Sequence, residues 1–161
     1  MQFAIRLIST AALIFSTGVS CSRLPKDQNG ALDRIRSSGE IRVGLSQEEP
    51  FVKLSGGEPS GVEVEIIKRF AESLGAHPVW TRGGEERLVK ALEHFELDVV
   101  AGGLTSSTPW ATHVGITAPY RRDQVLAVAP GENELVKRLD EFTRVHRAEI
   151  EDLFAQEGTP K

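Results

Sequence analysis

The sequence predicts an α/β fold, a single three-layer α/β/α domain built on a mostly parallel sheet. The length of 161 residues suits one domain, because a domain commonly has roughly 150 residues. The chain is 40% hydrophobic and 26% charged, with one cysteine, which is typical of a globular domain and not of a disordered chain or a disulfide scaffold. Strand and helix patterns alternate along the chain. This alternation indicates parallel strands with helices on both faces of the sheet.

The predicted elements begin with a helix over 31–38 and a strand over 41–45. The helix has two apolar residues on one face and a glycine behind it as a C-cap: Leu32, Ile35 and Gly39. The strand alternates between apolar and polar positions, which is the period of two expected of a strand.

The clearest helix begins at Ser60. Ser60 and Glu63 have the spacing of a capping box, in which each side chain accepts from the other residue's amide. Apolar residues then recur every fourth position, at Val62, Ile66, Phe70 and Leu74. A short strand is expected next, over 78–81.

The second half of the chain repeats the alternation. In order, we expect a helix over 85–95, a strand over 98–101 ending at Gly102-Gly103, strands over 114–117 and 124–129, and a last helix capped by Asn133. The order strand, helix, strand, helix, strand over the first three strands therefore favours the three-layer arrangement.

The amino-terminal segment 1–20 resembles a secretory signal. It contains one base, Arg6, and no acid, and its apolar run over 7–15 is too short to span a bilayer. The only cysteine, Cys21, follows directly, and its position resembles that of the acylated cysteine in the lipobox of bacterial lipoproteins. Gly18 stands where that motif usually has Leu, so cleavage that leaves a free thiol stays open.

These features predict three segments. Residues 1–20 form a signal peptide, the polar stretch 21–30 is a tether, and 31–161 is the folded unit. The expected location is the periplasm, with a lipid anchor at Cys21 as the sole contact with a membrane.

Charge and motifs exclude several classes of function. The net charge of -4 gives no reason to expect nucleic acid as a partner. None of the four histidines has a second histidine or cysteine at ligand spacing, and the G-x-S-x-G, P-loop and G-x-G-x-x-G patterns are missing. We therefore expect no metal, no cofactor and no enzymatic activity. The pairs Glu48-Glu49 and Glu85-Glu86 and the turn Arg121-Arg122-Asp123 are expected to be solvated surface.

Six short elements occur in a fixed order from Leu32 to Ala129. They are Leu32 to Gly44, Pro50-Phe51, the run from Gly61 to Ile66, Leu92 with Asp98, Gly102 to Thr105, and the run from Thr117 to Tyr120. In this order and spacing they resemble the family 3 bacterial solute-binding proteins, the periplasmic receptors of polar amino acid ABC transporters. The resemblance implies a solute-binding protein whose fold is that of lobe 1 of a periplasmic binding protein.

The resemblance also implies that a second lobe is missing. In that family, the strand after the Pro-Tyr motif leads through a hinge into a second lobe. Here the strand at 125–129 continues directly into 130–135, which resembles the family's return segment. The chain is therefore expected to be reduced to its first lobe, which could not clamp a ligand by the usual closure of two lobes.

Four residues are candidates for ligand contact. By resemblance, Phe51 stacks on the ligand, while Gly103 and Thr105 offer it a backbone group and a hydroxyl. Trp110 stands where amino acid receptors keep an arginine for the ligand's carboxylate, and indole has one donor and no charge. A purely structural role stays open for each of the four. Phe51 could be a loop aromatic that packs on the sheet edge, and Gly103 could serve a tight turn. Thr105 could be a polar turn residue, and Trp110 could cover the surface that the missing lobe leaves exposed.

Two kinds of partner follow from these candidates. The first is a small polar or aromatic solute; Trp110 would suit an apolar, aromatic or cationic one. The alternative is a protein-interaction or dimerisation module that uses the former cleft, which an exposed aromatic patch of Phe51, Trp110 and Tyr120 would favour.

Overall fold

The computed structural model describes residues 27–158, so the predicted signal peptide, Cys21 and most of the tether lie outside it. The elements are α1 (Ala31–Ser38), β1 (Glu40–Leu45), α2 (Val62–Ser73), β2 (His77–Arg82), α3 (Glu85–Glu93), β3 (Val99–Ala101), a 3-10 helix (Pro109–Thr112), β4 (Gly115–Ile116), β5 (Ala127–Val128), α4 (Asn133–Val145) and α5 (Arg147–Gln156). The predicted order of elements is confirmed as far as α4.

One five-stranded sheet has the order β2-β1-β3-β5-β4. The strands β2, β1 and β3 are parallel, and β5 is antiparallel to both of its neighbours. The predicted α/β fold with a mostly parallel sheet is thus confirmed. The carboxyl ends of β1, β2 and β3 lie at the same edge of the sheet.

Helices cover both faces of this sheet. The larger core combines buried side chains of α1, α2, α4 and α5 with one face, and the smaller core combines α3 with the other. Gly44 of β1 allows α3 to approach, because a Cβ there would lie 2.8 Å from Leu97 and 3.0 Å from Leu88. Within the described range, no helix is both long and apolar enough to cross a bilayer.

An acidic residue before each of the helices α1 and α4 caps the amino end of the other helix. The carboxylate of Glu132, which is 1% exposed, accepts from the amides of Asn29 and Ala31 at 2.7 and 2.9 Å. In return, Asp27 accepts from the amide of Glu134 at 2.6 Å. Each carboxylate thus satisfies an amide in the first turn of the other helix, where amides lack partners within the helix. Only residues 129–132 separate β5 from α4, so β5 leads directly into this helix.

Two expectations for the carboxyl-terminal region are wrong. The cap of α4 is Glu132 and not Asn133, which is the first residue of the helix, because Asp27 already binds the first amides. The single last helix is two helices that meet at His146, whose ring stacks on Phe142 at 4.1 Å. This break allows α5 to place Phe154 in the larger core.

Candidate functional site

The candidate site lies where β1 and β3 end, and we call this region, formed by 46–51 and 102–105, the carboxyl edge. The two segments touch, since the amide of Ser46 donates to the carbonyl of Ala101 at 2.9 Å. A Cβ on Gly102 would lie 2.7 Å from Cβ of Ser46. A Cβ on Gly103, whose φ is +67°, would lie 2.6 Å from Cδ2 of Phe51. Glycine is therefore required here both for the turn and for the close approach of Phe51.

Glu63 is the centre of the hydrogen bonding beneath the carboxyl edge. Its side chain is fully buried, and Oε2 accepts from the amides of Gly102 at 2.7 Å and Gly103 at 3.1 Å. Its other oxygen, Oε1, accepts from the Tyr120 hydroxyl at 2.6 Å. One carboxylate thus joins α2, the turn after β3 and the segment between β4 and β5.

This arrangement overturns the predicted capping box. The N-cap of α2 is Gly61, no side chain caps the helix, and Ser60 is exposed. Glu63 instead satisfies three donors in a buried region, where each unpaired donor would cost about 1–3 kcal/mol. A signal for this role was present in the sequence, because Glu63 shares a helical face with Ile66, Ile67 and Phe70.

The surroundings of Glu63 shift the pKa of its carboxyl group towards neutral pH. Burial raises the pKa of Glu63 from 4.5 to about 7, and the hydrogen bonds from Tyr120, Gly103 and Gly102 oppose this rise. Burial and the adjacent carboxylate raise the pKa of Tyr120 well above its ordinary value. Tyr120 therefore keeps its proton and remains a donor to Glu63.

Tyr120 and Arg121 are both buried, and for Arg121 this is contrary to expectation. Tyr120 is 3% exposed and stacks on Phe154 with 6.5 Å between the ring centroids. Arg121 is 4% exposed; its guanidinium lies 4.1 Å from the Phe154 ring centroid, and its Nε donates to Glu151 at 3.0 Å. Pairing with an acid and a ring makes this burial of a charge tolerable. The exposed patch of Phe51, Trp110 and Tyr120 that would favour a docking module is therefore not formed.

Phe51 is half-buried at the carboxyl edge. It packs on the larger core and meets Phe154 edge to face, with 5.8 Å between the ring centroids. The ring is partly accessible, and its Cδ2 and Cε2 atoms pack against Gly103. Thr105 is also half-buried, and its Oγ1 lies 3.0 Å from Oγ of Ser107. The structure thus brings Phe51 and Gly103 together, as a ligand site would require.

Trp110 lies on the other side of the sheet. It belongs to the 3-10 helix, packs half-buried on the smaller core, and donates from Nε1 to Glu85 at 2.5 Å. Phe51 and Trp110 thus pack against different cores. The expectation that Glu85 is solvated surface is wrong, because its carboxylate anchors the indole to the start of α3.

A cavity of about 680 Å³ lies next to the site, between 118–120 and the helices α4 and α5. None of the four candidate ligand residues lines it. Asp140 stands in its wall and accepts from the Ala118 amide at 2.8 Å, while burial raises the pKa of Asp140.

The fold and the carboxyl edge define a single lobe of the α/β binding proteins that hold ligands where parallel strands end. The model of the bacterial extracellular solute-binding proteins, family 3, matches residues 41–158. The chain belongs to this family.

Solved structures agree with this assignment. The arginine-bound form of domain 1 from TmArgBP has a TM-score of 0.65 at 25% identity, over 70% of this chain and 98% of that one. The ancestral amino acid-binding protein AncCDT-1, a precursor of cyclohexadienyl dehydratase, has a TM-score of 0.71 at 14% identity, over 78% of this chain and 98% of that one. The second likeness shows the fold alone.

The curated relatives are much longer proteins than this chain. Membrane-bound lytic murein transglycosylase F of Photobacterium profundum is 35% identical over 106 residues, which are 63% of this chain and 20% of the relative. The Yersinia enterocolitica protein of the same name is 38% identical over 79 residues, which are 48% of this chain and 16% of the relative. The chain thus matches a fifth or less of these relatives.

Proposed function

We propose that this chain is a non-enzymatic solute-binding lobe of the bacterial envelope, with its ligand at the carboxyl edge. The proposal rests on the packing of the Phe51 ring against Gly103. Glu63 stabilises this turn by accepting from the amides of Gly102 and Gly103. A half-buried aromatic ring on a rigid turn is a preformed platform, and rigid platforms lose little entropy when they bind.

The single lobe is compatible with ligand binding. Domain 1 from TmArgBP, a similar single domain, is described in an arginine-bound form. In the proposed site, Phe51 stacks on the solute, and Gly103 and Thr105 offer it oxygen atoms. Trp110 packs against the other core and is not part of this site. A ligand bound to one lobe stays more exposed than one enclosed by two, so we expect modest affinity.

The resemblance to transglycosylases concerns only a minor part of those proteins. We propose that the shared part recognises a solute and carries out no chemistry. At the carboxyl edge, the buried carboxylate of Glu63 is occupied by three donors of the protein itself.

The envelope location rests on the amino-terminal segment and on the family. We propose that 1–20 are a signal peptide, that Cys21 is the lipidated residue, and that 21–30 tether the lobe 31–161 to the membrane. The relatives are named as membrane-bound proteins, which supports a location at a membrane surface.

A thermal-shift screen of amino acids and small cations on the full chain tests the proposal, since a ligand that binds the native state raises the melting temperature. Calorimetry on the hits should give a 1:1 complex that Phe51→Ala weakens at least tenfold. Val145→Ala is the matched control, because Val145 is 64% exposed on α4. A complex unaffected by Phe51→Ala would place the ligand elsewhere, and a screen without hits would overturn the proposal.

A further inference from the structure

We propose that the group recognised at the carboxyl edge is an organic cation, an alkylguanidinium or alkylammonium, and that the ligand needs no carboxylate. This inference rests on the proposed function and names its substrate class. It follows from which hydrogen-bonding groups the structure leaves available beside Phe51.

Three donors that could suit an anion are already engaged within the protein. The amides of Gly102 and Gly103 both donate to Glu63, and the indole of Trp110 donates to Glu85. A ligand carboxylate would have to compete with two protein carboxylates for these donors.

The groups that remain beside Phe51 include a carboxylate. The position of a Cβ on Gly103 would lie 2.9 Å from Cγ of Glu48, so Glu48 and Phe51 flank the same glycine. Glu48 is exposed, and it forms no salt bridge with any residue in 27–158. A carboxylate next to an aromatic face suits a cation, by charge-assisted hydrogen bonding and by attraction to the ring.

The neighbouring bases have hydrogen-bond partners other than this carboxylate. The Arg82 guanidinium donates to the carbonyls of Leu54 and Gly57, and Arg87 donates to the carbonyl of Arg82. Lys53 pairs with Glu157. Glu48 therefore has no ion-pair partner among residues 27–158, and its carboxylate is available to a cationic ligand.

Calorimetry with three probes of similar shape tests the inference. Agmatine carries a guanidinium and no carboxylate, arginine carries both, and citrulline replaces the guanidinium by a neutral urea group. We expect agmatine to bind at least as tightly as arginine, and citrulline to bind at least tenfold more weakly. Glu48→Gln should weaken agmatine about tenfold, the effect of one charge-assisted contact. Glu72→Gln, an exposed glutamate on α2, should leave the affinity unchanged.

Three results would overturn the inference and leave the proposed function standing. These are citrulline binding as tightly as agmatine, arginine binding at least tenfold more tightly than agmatine, and hits in the solute screen that are all neutral or anionic. Failure of every solute in the screen would instead overturn the proposed function.

Discussion

The carboxylate of Glu63 and the hydroxyl of Tyr120 lie 2.6 Å apart in the buried layer beneath the carboxyl edge. Because Glu63 also binds the amides of Gly102 and Gly103, this one bond connects Tyr120 to the turn that supports Phe51. The charge of Glu63 is thus coupled to the shape of the proposed ligand platform.

The first prediction concerns the pH dependence of stability. Glu63 has a pKa of about 7 in the folded protein and 4.5 as its ordinary value. The folded state therefore holds more protons than the unfolded state between these values, so the free energy of unfolding falls as the pH rises from about 4.5 to about 7. The contribution of Glu63 that is lost over this window is roughly 3 kcal/mol.

Glu63→Gln isolates this contribution, because the other titrating groups cancel in the comparison with the wild type. Its carbonyl oxygen can still accept from the amides of Gly102 and Gly103, and its amide group can donate to the Tyr120 hydroxyl. Urea unfolding at pH 4.5 and pH 8 should show the wild type losing roughly 3 kcal/mol relative to Glu63→Gln. A constant difference between the two proteins would mean that Glu63 does not titrate in this range.

The sequence predicted the order of elements, the parallel strands of the sheet and the family. These features can be inferred from hydrophobic periodicity and motif spacing, which are patterns within short stretches of the chain. The sequence did not predict the partners of Glu63 or Arg121. The same residues, Ser60 and Glu63, are compatible with a capping box and with a buried Glu63. Three hydrogen-bond donors from distant segments decide between these two roles. Arg121 is likewise placed by Phe154 and Glu151 of α5, about thirty residues away along the chain.

The second prediction concerns the anchoring of Trp110. Trp110→Phe keeps an aromatic ring on the smaller core and removes the donor to Glu85. It should lower the free energy of unfolding by about 1 kcal/mol, the usual net value of one hydrogen bond. In a double-mutant cycle with Glu85→Ala, which removes the acceptor, the two losses should be non-additive by about 0.5 kcal/mol or more. Additive losses would show that the indole and Glu85 do not interact in solution.

The third prediction concerns Cys21, which follows the apolar segment directly and is the only cysteine. In a bacterial host, labelled palmitate should enter the wild-type protein and not Cys21→Ser. Ser22→Ala is a neighbouring control that should be labelled like the wild type. Equal labelling of the wild type and Cys21→Ser, or labelling of neither, would contradict lipidation at this residue.

The last prediction separates the two requirements for glycine at position 103. Gly103 and Gly75 have nearly the same positive φ, +67° and +70°, but a Cβ on Gly75 would meet nothing within 4 Å. Gly75→Ala should therefore cost only the strain of the left-handed conformation, about 1 kcal/mol. Gly103→Ala adds a Cβ 2.6 Å from the Phe51 ring, and such overpacking costs about 1–3 kcal/mol more.

The same pair of variants tests whether this contact supports the proposed ligand platform. Gly103→Ala should displace the Phe51 ring and weaken solute binding at least tenfold in calorimetry, whereas Gly75→Ala should bind as the wild type does. Urea unfolding of both variants supplies the stability comparison under the same conditions. Equal losses of stability in the two variants would mean that Phe51 moves aside freely, and so does not form a rigid platform on Gly103.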